Sequence, residues 1–156
     1  MKAPILWMAA ACAAAACHRA PPAPAPPAPV SAAAAAAGPS LYQRLGGRPA
    51  IAAVVADFVT RVTTDARISA FFRGVDRDTL AAGLTDQICE VAGGPCRYTG
   101  RSMRAVHADL GIGNADFDAL VSDLVASLDH FTVGATEQAE LLRILGGLRR
   151  EIVTKP

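Results

Sequence analysis

The chain has 156 residues, of which 52% are hydrophobic and 19% are charged, and its formal net charge is +1. Acidic and basic residues are interspersed without a basic block, which argues against a nucleic-acid partner bound through a strongly positive surface. Most of the 11 prolines and the longest alanine runs precede residue 40. The composition therefore predicts one globular domain behind an N-terminal segment of a different kind.

Residues 1–16 predict a secretory signal peptide. Lys2 is their only charge, an apolar run follows, and small residues precede Cys17. The segment is shorter than the roughly 20 residues of a membrane-spanning helix. The residues before Cys17 resemble the processing site of bacterial lipoproteins, although Ala14 stands where leucine is usual. We expect an exported, periplasmic protein, anchored to the membrane by a lipid on Cys17. Ordinary cleavage after an A-x-A site is the alternative.

The composition of residues 17–39 predicts a tether that holds the folded domain away from the membrane. They are built almost entirely of alanine and proline from Arg19 onward, and proline removes backbone donors and favours extended chain. Such a segment cannot bury a core. The folded domain is therefore expected to occupy residues 40–156, an ordinary length for a single domain.

The sequence of the domain predicts helices throughout, because its apolar residues recur at helical spacing without sustained two-residue alternation. A short helix spans Ser40–Leu45 and stops at a glycine pair. Another short helix covers Ser102–Leu110, and Gly146-Gly147 predicts a kink or close backbone approach in the last helix. Four substantial helices are expected to begin near Pro49, Asp76, Asn114 and Thr136.

Two cysteines lie within the predicted domain, Cys89 and Cys96, on either side of a turn sequence. Export would place them in an oxidising compartment, where a disulfide can persist. Two free thiols are the alternative. A zinc site built from these cysteines and His107 would lack an evident fourth ligand.

His107 is the first candidate for a chemical centre. Met103, Val106, His107 and Leu110 form one helical stripe, so the imidazole lies on an apolar face, where it must hydrogen-bond, titrate or bind something. No nucleophile elbow or phosphate loop is present in the sequence. A lone histidine in an apolar slot suits axial ligation of non-covalent haem. A hydrogen-bonded core histidine is the alternative.

Several separated motifs resemble one known family. Leu41–Gly47, Ile51–Phe58 and Ala70–Phe72 resemble the corresponding parts of truncated (two-on-two) haemoglobins, and Gly93–Ile112 resembles the group I branch in order and spacing. The resemblance implies an all-α, truncated two-on-two globin fold. It also implies a haem b cofactor and reversible binding of a diatomic gas (O2, NO or CO).

The resemblance also assigns roles to individual positions. His107 matches the proximal iron ligand, Phe72 the residue that packs on the porphyrin, and Leu80 a residue over its distal face. Arg104 is a candidate partner of a haem propionate, with a purely solvated side chain as the alternative. The remaining positions expected around the haem are Phe58, Val59, Leu84, Tyr98, Met103 and Val106.

The departures from the family pattern concern the distal side of the haem, the face opposite the proximal histidine. Val59 stands where many group I members have tyrosine, and Leu84 stands where many have glutamine, so neither can donate a hydrogen bond to a bound gas. Gly83 stands where the family often has a basic residue that meets a haem propionate. Gln87 is the one amide nearby, and we expect it to point sideways, with a donor to the bound gas as the alternative. The sequence predicts an apolar distal pocket from which oxygen leaves quickly.

Two other functions remain open from the sequence. One is turnover of NO or peroxide at the same iron, which requires an electron donor that the chain does not identify. The other is a structural or interaction lipoprotein on a degenerate globin fold without haem, against which the retained His107 argues.

Overall fold

The computed structural model describes residues 38–155. The predicted signal peptide, Cys17 and the predicted tether up to residue 37 lie outside the described residues. Within residues 38–155 the regular structure is helical, without strands, and no helix there is long and apolar enough to cross a membrane. The helices are α1 (Leu41–Arg44), α2 (Gly47–Thr64), a 3-10 helix (Ser69–Phe72), α3 (Arg77–Val91), α4 (Met103–His107), α5 (Asn114–His130), α6 (Ala135–Gly146) and α7 (Arg149–Ile152).

Side-chain caps start three of these helices. Ser40 accepts a hydrogen bond from the backbone of Gln43, whose side chain accepts one in return from the Ser40 N–H. Asp76 caps α3 and Ser102 caps α4 in the usual way, by accepting a backbone N–H of the first turn. These caps satisfy donors that a helix start otherwise leaves unpaired.

Two helix pairs form the body of the fold, α2 with α3 and α5 with α6, and α2 also packs against α5. The branched aliphatic and aromatic side chains of α2 are buried, and Val55 and Val62 are fully inaccessible. Because α2 is rich in β-branched residues of modest helix propensity, this burial rather than intrinsic preference stabilises it. The predicted all-α, two-on-two architecture is confirmed.

The kink predicted at Gly146-Gly147 is present as a full break in the last helix. The short α7 that follows packs against α4. The backbone N–H groups of Thr154 and Lys155 then both donate to the carbonyl of Ile112, at 2.9 and 3.0 Å. The last residues described are therefore bonded to the segment that follows α4.

Two helix boundaries differ from those predicted from the sequence. The predicted cap Asn114 is the first residue of α5, and Gly113 occupies the cap position, its N–H donating to the carboxylate of Asp116 at 2.8 Å. Helix α4 ends at His107 rather than Leu110. A turn follows, in which the Leu110 N–H donates to the His107 carbonyl at 3.2 Å, and Gly111 then adopts a left-handed φ of 63°.

A disulfide joins Cys89 near the end of α3 to Cys96, with Cα atoms 5.7 Å apart, so the predicted bridge is confirmed. Gly94 lies inside the loop it closes. A Cβ at Gly94 would lie 2.5 Å from the Tyr42 ring and 2.7 Å from Cys89 Sγ, so only glycine fits there. Both thiols are thereby removed from any zinc site.

We expect Cys96→Ser to lower the free energy of unfolding by about 2–3 kcal/mol, because the unfolded chain regains the freedom of a short closed loop. Denaturant unfolding under non-reducing conditions measures this loss. Wild-type protein unfolded with a reductant should match the variant, and a wild type insensitive to reductant would contradict the prediction.

A carboxylate pair lies where the segment after α2 meets α5. Asp65 accepts from the Arg67 guanidinium at 2.7 Å, and the same guanidinium lies 3.7 Å from Asp123, whose Oδ2 is buried without a partner. Burial raises the pKa of the Asp123 carboxyl, and the negative charge of Asp65 raises it further. Because protonated Asp123 favours folding, its contribution is lost as the pH rises from 3.8, its ordinary pKa, through the raised value.

Asp123→Asn should therefore raise the free energy of unfolding at pH 7 by about 1 kcal/mol, since it removes a buried charge without a full set of partners. It should also flatten the pH dependence above pH 3.8. Urea unfolding across the acidic range provides the measurement. Asp109→Asn, at an exposed carboxylate, is the control, and an equal effect of both variants would refute the assignment.

Candidate functional site

A cavity of about 730 Å³ opens between α3 and α4 and reaches α2 and α5. Its size lies within the roughly 300–1,000 Å³ typical of sites that enclose small organic ligands. Phe58, Phe72 and Phe117 contribute aromatic rings to its wall. Five residues that the family resemblance places around the haem border this cavity: Phe58, Phe72, Leu80, Leu84 and His107.

Helix α3 supplies one wall through a single stripe. Leu80, Gly83, Leu84 and Gln87 follow the spacing i, i+3, i+4 and i+7, and all four line the cavity. Gly83 also borders Tyr98, whose ring lies 3.9 Å from where a Cβ at this glycine would stand. The missing side chain at position 83 thus leaves room for an aromatic ring at the cavity wall.

Helix α4 supplies His107 in a defined chemical form. Its Nδ1 lies 2.7 Å from the carbonyl oxygen of Met103, one turn earlier. A carbonyl can only accept, so Nδ1 carries the proton and donates it, and Nε2 is left with its lone pair. This is the arrangement in which a metal-ligating histidine is oriented by a backbone carbonyl.

A metal at His107 would need ligands from elsewhere. In the part of the chain that the structure describes, no group of three or more His, Cys, Asp or Glu side chains is placed to hold a metal ion. The bridged Cys89 and Cys96 are not available either. A planar macrocycle that supplies the other ligands itself fits a cavity with one imidazole and apolar walls.

The charged groups of the cavity wall are engaged elsewhere. Asp86 pairs with Arg48 at 2.9 Å, and Asp116 accepts the Gly113 N–H. Among residues 38–155 no lysine or arginine lines the cavity. Gln87 differs from these rim groups because it is buried, with 9% of its surface exposed.

Eight of the ten residues predicted for the site line the cavity, and two do not. Val59 is 4% exposed and packs in the core around α2 rather than on the cavity wall. Arg104 is exposed and lies off the α4 stripe that faces the cavity. The eight that the structure brings together are Phe58, Phe72, Leu80, Leu84, Tyr98, Met103, Val106 and His107.

Sequence reasoning missed two parts of the wall. Gln87 was expected to point sideways, yet it lines the cavity, and its i+3 spacing from Leu84 was the signal for this. The helices after α4 also contribute apolar residues, whose periodicity alone does not distinguish a cavity wall from packed core. These include Phe117, Leu120, Val121, Leu145, Leu148 and Ile152.

Comparison with known proteins places this geometry in a family. Residues 40–154 match the model of the family described as bacterial-like globin. The group 1 truncated haemoglobin of Tetrahymena pyriformis is 30% identical over 116 residues, which cover 74% of this chain and 96% of that protein. The group 1 truncated haemoglobin GlbN of Mycolicibacterium paratuberculosis is 33% identical over 74% of this chain and 85% of its own length.

Solved structures agree with the sequence relatives. The crystal structure of the Tetrahymena pyriformis truncated haemoglobin in its Fe(III) form superposes with a TM-score of 0.72 at 30% identity, covering 75% of this chain and all of the other. A Synechococcus 2/2 haemoglobin, solved with covalently attached haem, gives 0.71 at 32% identity over the same shares. The chain belongs to the bacterial-like globin family and, within it, to the group 1 truncated haemoglobins.

Proposed function

We propose that this globin binds haem b in the cavity between α3 and α4 and that His107 Nε2 is the proximal iron ligand. The observation that carries the proposal is the Nδ1 hydrogen bond to the Met103 carbonyl, which leaves Nε2 free to coordinate. The aromatic and aliphatic wall suits a porphyrin, which needs one axial nitrogen and otherwise an apolar slot.

The bound iron would supply the site at which a diatomic gas binds reversibly. The protein's part is to orient the imidazole and to exclude bulk water with apolar side chains such as Leu80 and Leu84. Leu84, on the cavity wall, cannot donate a hydrogen bond to the gas, and Val59 packs in the core and cannot donate one either. Gas retention is therefore expected to depend on confinement and on any other donor in the wall.

We expect His107→Ala to abolish the sharp Soret band of histidine-ligated haem and leave the broad band of unligated haem, because His107 is the one imidazole among the described residues that line the cavity. Added imidazole should restore part of the band by filling the vacated space. His130→Ala removes an exposed histidine outside the cavity wall and should leave the spectrum unchanged. A wild type without the sharp Soret band, or a His107→Ala variant that keeps it, would refute haem ligation by His107.

We further propose that the protein is exported and anchored through a lipid on Cys17. The small residues before this cysteine support lipoprotein processing. The Cys89–Cys96 disulfide supports an oxidising compartment, where such bonds persist. The haem domain would then sit at a membrane surface, behind a tether rich in alanine and proline.

Cys17→Ser should abolish incorporation of radiolabelled palmitate when the full chain is expressed in a Gram-negative host, because the acceptor thiol is gone. Cys12→Ser changes a cysteine within the predicted signal and should retain the label. Fractionation of the same cells should find wild type with the membranes. A wild type without label would exclude the lipid anchor.

A further inference from the structure

We propose that the side-chain amide of Gln87 donates a hydrogen bond to the diatomic gas held in the cavity. The inference rests on the proposed haem function and adds to it a named polar group in a wall that is otherwise apolar at depth. It replaces the expectation that this residue points sideways.

The first support is that Gln87 is buried without a protein partner. Three polar residues are buried in the described part of the chain: Thr85, Gln87 and Ser127. The hydroxyl of Thr85 donates to the Ala81 carbonyl at 2.7 Å, and that of Ser127 donates to a backbone carbonyl at 3.1 Å. Among residues 38–155, Gln87 makes no side-chain hydrogen bond, although it is 91% buried. The buried side-chain atom without a partner in this part of the chain is Asp123 Oδ2, so the amide atoms of Gln87 are accessible. Since Gln87 lines the cavity, its amide is free to bond a molecule held there.

The second support is the place of Gln87 on α3. It continues the stripe of Leu80, Gly83 and Leu84, one turn beyond Gly83, and it lines the same cavity as His107. Helix α3 packs on α2, whereas α4, which carries His107, packs on α7. Helices α3 and α4 therefore form different walls of the cavity. The amide therefore reaches the cavity from the wall that does not carry the proposed iron ligand.

The third support is chemical. The amide NH2 offers two donors, and a donated hydrogen bond is stronger in a water-poor cavity than in bulk solvent. Oxygen acquires more negative charge on binding to haem iron than carbon monoxide does, so a donor retains oxygen selectively. The other polar residues of the wall, such as Thr79, Asp86 and Thr99, are more exposed than Gln87 and lie at its rim.

The test compares Gln87→Leu with the wild type after haem reconstitution. We expect oxygen to dissociate about tenfold faster from the variant, the change that corresponds to losing one hydrogen bond of about 1.4 kcal/mol. The dissociation of carbon monoxide should change much less. The C–O stretching frequency of bound carbon monoxide should rise, because the donor that polarises it is gone.

Thr85→Val is the matched control, since it removes a buried polar group from the same helix, outside the cavity wall. Its oxygen dissociation rate and C–O frequency should equal those of the wild type. Gln87→Asn keeps the amide on a shorter chain and should fall between wild type and Gln87→Leu.

The Soret band distinguishes a failure of this proposal from a failure of haem binding itself. A normal band in Gln87→Leu with an unchanged oxygen rate and C–O frequency would overturn the role of Gln87 and leave the haem site intact. Faster loss of haem with unchanged gas kinetics would place the amide at the porphyrin edge and would also overturn it. A wild type without the band would refute both proposals together.

Discussion

The helices of this globin enclose a space of about 730 Å³, and most of the fold is arranged around it. A ligand that binds in this cavity only when the chain is folded stabilises the folded state, by an amount that rises with its affinity and its concentration. We therefore expect uptake of the proposed cofactor to stabilise the fold.

The hydrogen bond between His107 Nδ1 and the Met103 carbonyl turns the cavity into a chemical site. It fixes the tautomer and the ring orientation together, with no carboxylate involved. A backbone acceptor one turn earlier is available only while α4 remains helical there. The reactive nitrogen is thus specified by secondary structure rather than by a separate polar network.

The sequence predicted the structure best where a pattern of residues is compatible with only one kind of local structure. Helical periodicity located the four long helices, and the stripe of Met103, Val106 and His107 placed the imidazole on the cavity side. It was less informative where neighbouring faces of one helix compete. Val59 follows Phe58 by about 100° of helix rotation, and this is enough to place one on the cavity wall and the other in the core. On α3, Gln87 lies three residues after Leu84, only about 60° away around the helix, and this keeps it on the cavity wall where a sideways orientation was expected.

The break at Gly146-Gly147 has a mechanical consequence for the proximal side. A five-residue helix such as α4 has too few internal hydrogen bonds to persist alone. It is held by α7, which can turn toward it only because the preceding helix stops, and by the two N–H groups that grip the Ile112 carbonyl. The support of α4 therefore comes in part from the last residues described in the structure. A partner or a substitution that displaces this segment is expected to disturb His107 from outside the cavity.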